Sequence, residues 1–382
     1  MKVLFVQNIE GIAGSEKYFW HLLPALKKSA VEVEFLSVFK PQFKNVTEEF
    51  ENELGHNNIK THAIQTNSYL SFGLIRKLKK LIDSEKYDIV HSHLIYADFW
   101  SAIIRRLYNP KCVFVSTLHG YQEQIYTRFC LKPEQLPKNK YYFVAKFVYP
   151  KLDFVYSCSY GLRDFYLKAG FKFKNKIGTI QHGFDYTEIE PVNMDPNRFL
   201  CVIPGRLIER KGHELVLRKC LQLKKEIPDF ILQIIGDGPL KEHLHKIVEE
   251  NGLAEFVTFT GHVSDVRPFL KKANLVLIPS YSEGLPLVIF EAMSVSKPVL
   301  AFNTVGVYEA VSEGKTGYLI EPFDENLFAQ KIIELSKQRD LLKSVGANAK
   351  EIQMLNFSLK RMTEETIQFY QTCLNSRPFL IT

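Results

Sequence analysis

Apolar and polar positions along the chain follow two alternating periods. Short apolar runs of strand type, KVLFVQ (2–7), VEVEFLSV (31–38), DIVHSH (88–93), CVFVSTLHG (112–120) and DFVYSCS (153–159), are separated by stretches with apolar residues at helical spacing. The first such stretch, 16–28, places Phe19, Leu22, Leu23 and Leu26 on one face, and further helices are predicted over 74–84, 96–107 and 161–168. Parallel strands need long crossover connections, so strand and helix in steady succession predict a parallel sheet wrapped by helices. Periodicity fades over 175–196, and a second series begins at FLCVIPG (199–205). It runs through helix 212–226, FILQIIGDG (230–238), helix 239–250, FVTFTGH (256–262), a short helix 265–272, LVLIPS (275–280), helix 286–295, PVLAF (298–302) and helices from 324. The expected fold class is α/β, with two doubly wound Rossmann-like domains facing a central cleft. The expected domains are 1–188 and 189–355, followed by a helical segment, 356–382, that crosses back to the first. Ligands of such sheets sit at the carboxyl ends of the strands.

A length of 382 residues suits this count, and 46% hydrophobic with 24% charged residues excludes disordered and fibrous classes. No apolar run approaches the roughly 20 residues of a membrane span, and Val3 to Val6 is too short for a signal-peptide core, so a cytoplasmic protein is expected. The cysteines at 112, 130, 158, 201, 220 and 373 form no Cys-x-x-Cys pair and read as scattered core thiols. The net charge of +7 is local: residues 101–180 carry fourteen basic and four acidic side chains, whereas 1–100 balance at twelve each. Such a surplus suits phosphate, an anionic membrane surface or nucleic acid.

Three segments of the second series would meet along one sheet edge. In PGRLIERKGHELVL (204–217) a strand ends at Pro204 and Gly205, and Arg206 and Lys211 lie in the loop before a helix. Two cations at a strand end suit a diphosphate, the plain alternative being solvated loop charges. In IIGDGPLKEHL (234–244), Gly236 and Gly238 let backbone approach a ligand, and Pro239 is expected at the first helical position. In LIPSYSEGLPLVIFEAM (277–293), Glu283 ends a loop, Gly284 and Leu285 present amides, and Pro286 opens a helix whose N-terminus would attract a phosphate. Glu291 follows inside that apolar helix, where a carboxylate needs polar partners. The two hydroxyls of a ribose would serve, as would an arginine.

Together EGLPLVIFEAM, GRLIERKG and IIGDGP resemble the donor-binding half of the retaining glycosyltransferases of family 4, which have the two-domain GT-B architecture. IAGSEKY (12–18), DIVHSH and VSTLHG (115–120) extend the resemblance over most of the chain. It implies that Arg206 and Lys211 hold the donor diphosphate with the amides of Gly284 and Leu285. Glu291 would bind the ribose, and Glu283 would face the donor sugar. Backbone from Gly261 to Val263 would read the base, while Gly205 and Gly236 line the donor. Gly14 would lie in a flexible glycine-rich loop, and His119 would stand across the cleft near the reacting sugar. One departure is His182 in IQHGFD (180–185), where the family has Asn, so that this segment reads as a linker.

Departure of an anionic diphosphate makes preorganised cations the expected lever, a role for Arg206 and Lys211. No two aspartates are separated by a single residue, so the D-x-D metal clamp is missing. No cofactor and no metal are expected: the nucleotide diphosphate sugar is a co-substrate, UDP-sugar in preference to GDP-sugar. Retention at the anomeric carbon is implied, with front-face attack assisted by the leaving phosphate. His91, His93 and His119 have no carboxylate or Cys at ligand spacing and are expected to serve separate purposes. The segment 127–152 mixes Lys and Arg with Phe129, Tyr141, Tyr142, Phe143, Phe147 and Tyr149. It suits an anionic lipid interface, the alternative being a helix with aromatics inward and lysines solvated. The expected acceptor is a saccharide or lipid-linked saccharide of cell-surface glycan synthesis, met at the inner face of the membrane. No nucleic-acid motif accompanies the charge. The rival readings are a silent sugar-nucleotide-binding subunit and a GT-B-like nucleotide-sugar epimerase.

Overall fold

The computed structural model describes residues 1–121, 132–190, 192 and 195–376. The described residues divide into two compact units, one of Met1–Tyr121 and Lys132–Phe184 with the terminal segment from Leu359, the other of Asp185–Ser358.

The N-terminal unit alternates β1 (Lys2–Asn8), α1 (Gly14–Lys28), β2 (Glu32–Phe39), α2 (Lys44–His56), β3 (Lys60–Gln65), α3 (Phe72–Glu85), β4 (Ile89–His93), α4 (Leu94–Tyr108) and β5 (Val113–Leu118). It continues with α5 (Lys140–Val148), β6 (Phe154–Ser157), α6 (Tyr160–Lys168) and β7 (Gly178–Thr179). The seven strands are parallel in the order β3-β2-β1-β4-β5-β6-β7, so the chain changes direction across the sheet between β1 and β4. Strands β1, β4 and β5 are buried on both faces, β4 carrying buried His91, Ser92 and His93 among its residues. The sequence expectation lacks β3, α2 and β7 here and, in the second unit, a helix over Val307–Ala310 and an edge strand over Gly317–Ile320. Edge strand β3, KTHAIQ, has no buried residue and so carries no apolar period. Helix α2 buries only Thr47, Phe50 and Leu54.

In the C-terminal unit come β8 (Phe199–Pro204), α7 (His213–Glu226), β9 (Phe230–Ile235), α8 (Lys241–Glu250), β10 (Val257–Gly261), α9 (Arg267–Lys272) and β11 (Leu275–Ile278). They are followed by α10 (Leu287–Ser294), β12 (Val299–Phe302), α11 (Val307–Ala310), β13 (Gly317–Ile320), α12 (Glu325–Ser336) and α13 (Arg339–Asn356). The order β10-β9-β8-β11-β12-β13, again parallel, reverses between β8 and β11. Pro239 stands outside α8, two residues before Lys241, rather than at its first position, because a turn over Pro239 and Leu240 precedes the helix. Pro286 likewise flanks α10, in extended conformation, instead of opening it. Both doubly wound sheets of the expected α/β class are therefore present.

The last helix, α14 (Leu359–Asn375), joins the core of the N-terminal unit. Its Met362, Tyr370 and Cys373 are wholly buried among Val3, Phe5 and Phe19. Each such side chain contributes roughly 2 kcal/mol by leaving water, enough to make the helix integral to that unit. Among the described residues no helix is long and apolar enough to cross a membrane.

Candidate functional site

At the β8/β11 reversal of the C-terminal unit, the loops leaving four adjacent strands are fastened backbone to backbone. The Gly205 amide donates to Ile235 O (2.8 Å), the Gly236 amide to Gly261 O (2.9 Å), and the Leu207 amide to Asp237 O (2.9 Å). Tyr281 N donates to Arg210 O at 2.9 Å, which joins the loop after β8 to the loop after β11. Glycine is needed here for this packing. A Cβ on Gly236 would lie 2.0 Å from the Gly205 carbonyl oxygen, and one on Gly306 would lie 1.7 Å from that of Gly284, both at positive φ. At Gly236 the missing side chain thus admits the Gly205 carbonyl of the neighbouring loop. Without a side chain, the Gly306 backbone lies against the Gly284–Leu285 peptide.

On this frame sits an ionic cluster. Lys211 Nζ donates to Glu283 Oε1 at 2.7 Å, while Arg210 Nη1 reaches Glu283 Oε2 at 3.3 Å and Ser282 O at 2.8 Å. Glu283 is only 8% exposed. Burial opposes its charge, but Lys211 and Arg210 outweigh burial and hold the carboxyl below the usual carboxylate range, with Ser280 also donating. Lys211 thus meets Glu283, while Arg206 stands exposed at the mouth of the same loop. Sequence reasoning passed over Arg210; its signal was adjacency to Lys211 in the ERK turn.

Glu291 is buried in α10, eight residues beyond Glu283. Its charge is felt by two neighbours. The Tyr186 hydroxyl is pushed well above its usual range, first by burial and then by Glu291. Arg267, though burial works against it, is raised by Asp265 and further by Tyr186 and Glu291. The Arg267 fork is given to Asp265, with Nε and Nη2 contacts of 2.9 and 2.8 Å, and Nη1 donates to Thr187 O at 3.0 Å. Gly261 closes β10, and Val263 follows two residues later.

The strand ends of β4 and β5 in the N-terminal unit carry a cluster of another kind. His93 ends β4 and His119 lies just beyond β5, and His93 Nδ1 is 2.7 Å from His119 Nε2. His91 is saturated, its Nδ1 on Tyr370 Oη (2.6 Å) and its Nε2 on Thr117 Oγ1 (2.7 Å). Burial lowers His91 to about 3 and keeps His93 and His119 well below their ordinary value, with neighbouring imidazoles adding to the effect on the latter two. The rings are therefore neutral at physiological pH. His182 belongs to this group rather than to a mere linker: its ring centroid lies 5.5 Å from His119 and 4.9 Å from Tyr18. Arg361 of α14 binds its carbonyl at 3.3 Å. The histidines thus form one cluster, not separate features, and among the described residues no set of His, Cys, Asp and Glu suits a metal ion.

Gly14 is the first residue of α1, with no atom within 4 Å of where its Cβ would stand. The loop before it is fixed by buried Glu16, which accepts from Ala13 N (2.8 Å), Ser15 Oγ (3.0 Å) and Gln7 Nε2. Burial raises the Glu16 carboxyl above its usual range against these donors.

Residues 12–188 match the family model described as glycosyltransferase family 4, and residues 185–352 match that described as glycosyl transferases group 1. An uncharacterized glycosyltransferase of Methanocaldococcus jannaschii is 30% identical over 311 residues, 79% of this chain and 80% of the relative. The UDP-Gal:alpha-D-GlcNAc-diphosphoundecaprenol alpha-1,3-galactosyltransferase of Escherichia coli is 25% identical over 315 residues, 77% of each chain. The crystal structure of Anabaena HepE in complex with UDP-glucose has a TM-score of 0.80 at 20% identity, covering 97% of this chain and 100% of that one, a likeness of GT-B fold.

Proposed function

The chain belongs to the glycosyltransferases, its halves matching the family 4 and group 1 models, and from that premise we propose that it moves a hexose from a nucleoside diphosphate sugar to a saccharide or lipid-linked saccharide of the cell surface. The observation that carries this is the cluster Arg210–Glu283–Lys211 at the β8/β11 reversal, with Glu291 on the helix that the same loop enters. Lys211 and Arg206 offer charge to a departing diphosphate, and the Gly284 and Leu285 amides add donors that need no reorganisation. Glu283, held ionised, accepts from hydroxyls of the transferred sugar. Glu291 takes the ribose hydroxyls, Gly205 and Gly236 border the donor, and backbone at Val263 meets the base. Gly14 and His119 of the N-terminal unit serve the reacting sugar. UDP is favoured as the nucleotide, in keeping with the UDP-glucose bound to HepE and the UDP-galactose named for the E. coli relative. Retention proceeds by front-face attack, since no carboxylate here is assigned as a nucleophile, and the protein cations make a metal unnecessary. Purified protein with UDP-glucose and no acceptor should release UDP slowly by hydrolysis. Failure to turn over any UDP- or GDP-hexose would instead favour a silent subunit, and conversion to an epimeric sugar an epimerase.

The acceptor side includes an anionic membrane surface. In α5 the tyrosines Tyr141 and Tyr142 turn inward, as does Tyr149 beyond it, whereas Phe143 and Phe147, one turn apart, are 58% and 41% exposed beside exposed Lys140 and Lys146. The alternative of aromatics packed inward therefore holds for the tyrosines only. Residues 127–131 of the candidate segment lie outside the described residues. Exposed rings with lysines suit a headgroup layer, at about 1 kcal/mol per cation. Sedimentation with anionic vesicles should weaken as salt rises and be lost on replacing Lys138, Lys140 and Lys146 by Glu. Equal sedimentation of that variant would leave the lysines as a solvated face.

A further inference from the structure

His93 has no part in the chemistry so far, yet it is wholly buried at the end of β4 and only one of its ring nitrogens has a partner. Its surroundings are rings: Phe19 edge-on at 4.6 Å, Phe5 stacked at 5.8 Å, Tyr18 at 5.9 Å and His91 at 4.3 Å between centroids. Among the described residues no acceptor faces His93 Nε2. A proton on Nε2 would be a buried N–H without a partner, the kind of orphan that folded proteins avoid most strongly. The same proton on Nδ1 is donated along the 2.7 Å contact to His119 Nε2. A neutral imidazole that accepts at one nitrogen carries its own proton at the other.

We infer that His93 is a positioning residue that fixes His119 as the tautomer protonated on Nδ1, so that His119 meets the substrate as a neutral hydrogen-bond donor and not as a base. The geometry is one-directional. His91, the ring nearest His93, cannot reverse it, because both of its nitrogens are engaged by Tyr370 and Thr117. His182 and Tyr18 flank His119 at 5.5 and 5.3 Å between centroids, and no hydrogen bond among the described residues engages His119 Nδ1. The donor is thereby left for an oxygen of the sugar or the acceptor. Burial keeps both rings neutral, which leaves a single proton between them.

This rests on the glycosyl-transfer reading only for what His119 meets, and the tautomer is measurable without any substrate. With 15N-histidine labelling, long-range proton–nitrogen correlations of the free protein should show His119 protonated on Nδ1, its signals identified by their loss in His119→Gln. A His119 protonated on Nε2 overturns the inference, whatever the UDP-release assay gives. In His93→Phe the His119 signals should shift to a mixture of tautomers, and kcat for UDP-glucose hydrolysis should fall on the order of tenfold, the worth of one hydrogen bond, with KM unchanged. His93→Gln, whose amide can donate to the same nitrogen, should restore both the tautomer and most of kcat. Unaltered His119 signals in His93→Phe would show that His93 does not set the tautomer. Should His93→Phe not fold, the wild-type spectrum and His93→Gln decide alone.

Discussion

Two strand-end clusters of this protein solve opposite electrostatic problems. At β8/β11 a buried carboxylate is kept charged by two cations, and at β4/β5 buried imidazoles are kept neutral by burial and by one another. A charged cluster can exchange partners with an anionic ligand at little cost in solvation, whereas a neutral cluster can present a donor or acceptor without attracting counter-ions. In the proposed reaction the first would meet a diphosphate and its sugar, the second a hydroxyl. The difference also governs how each site fails. Loss of one partner strands a buried charge in the first, and in the second it only releases a tautomer.

The largest effect should come from breaking the charged cluster at its centre. Glu283→Gln leaves Lys211 and Arg210 facing an amide, and removing one member of a buried pair costs on the order of 3 kcal/mol. Because the folded carboxyl titrates below its unfolded value, this stability is complete at neutral pH and disappears as pH falls through the lowered pKa. Thermal melts of wild type and variant should thus differ most at pH 7 and converge in acid. A constant difference down to pH 3 would show that packing, not charge, is lost. A further effect, on catalysis as well as on the stability that Lys211 lends the buried Glu283, is expected of Lys211→Ala. Turnover of UDP-glucose should drop roughly a hundredfold, as for other preorganised donors, because the charge Lys211 meets grows as the diphosphate departs. Near wild-type turnover would remove Lys211 from the mechanism.

The two sites were unequally legible in the sequence. Arg206, Lys211, Glu283 and Glu291 lie in two short segments whose spacing survives without any knowledge of the fold, and the alternation of apolar runs with helical periods placed those segments at strand ends. Arg210 was not legible, because nothing but its carbonyl and guanidinium contacts separates it from any loop arginine. The histidine cluster draws on β4, the end of β5 and the segment before the C-terminal unit, so only the topology brings His93, His119 and His182 together. His182, read as a departure from a motif, gained its meaning from neighbours more than 60 residues away. Edge strand β3 and helix α2 escaped because they bury too little to impose a period.

Calorimetric titration with UDP is the most direct test of a C-terminal unit that holds the nucleotide while the N-terminal histidines act on the sugar. UDP should bind wild type and His119→Gln with equal dissociation constants, and Glu291→Gln should bind about tenfold more weakly, the worth of one hydrogen bond of ordinary strength. An unchanged dissociation constant in Glu291→Gln, or one weakened equally by His119→Gln, would contradict that division of labour.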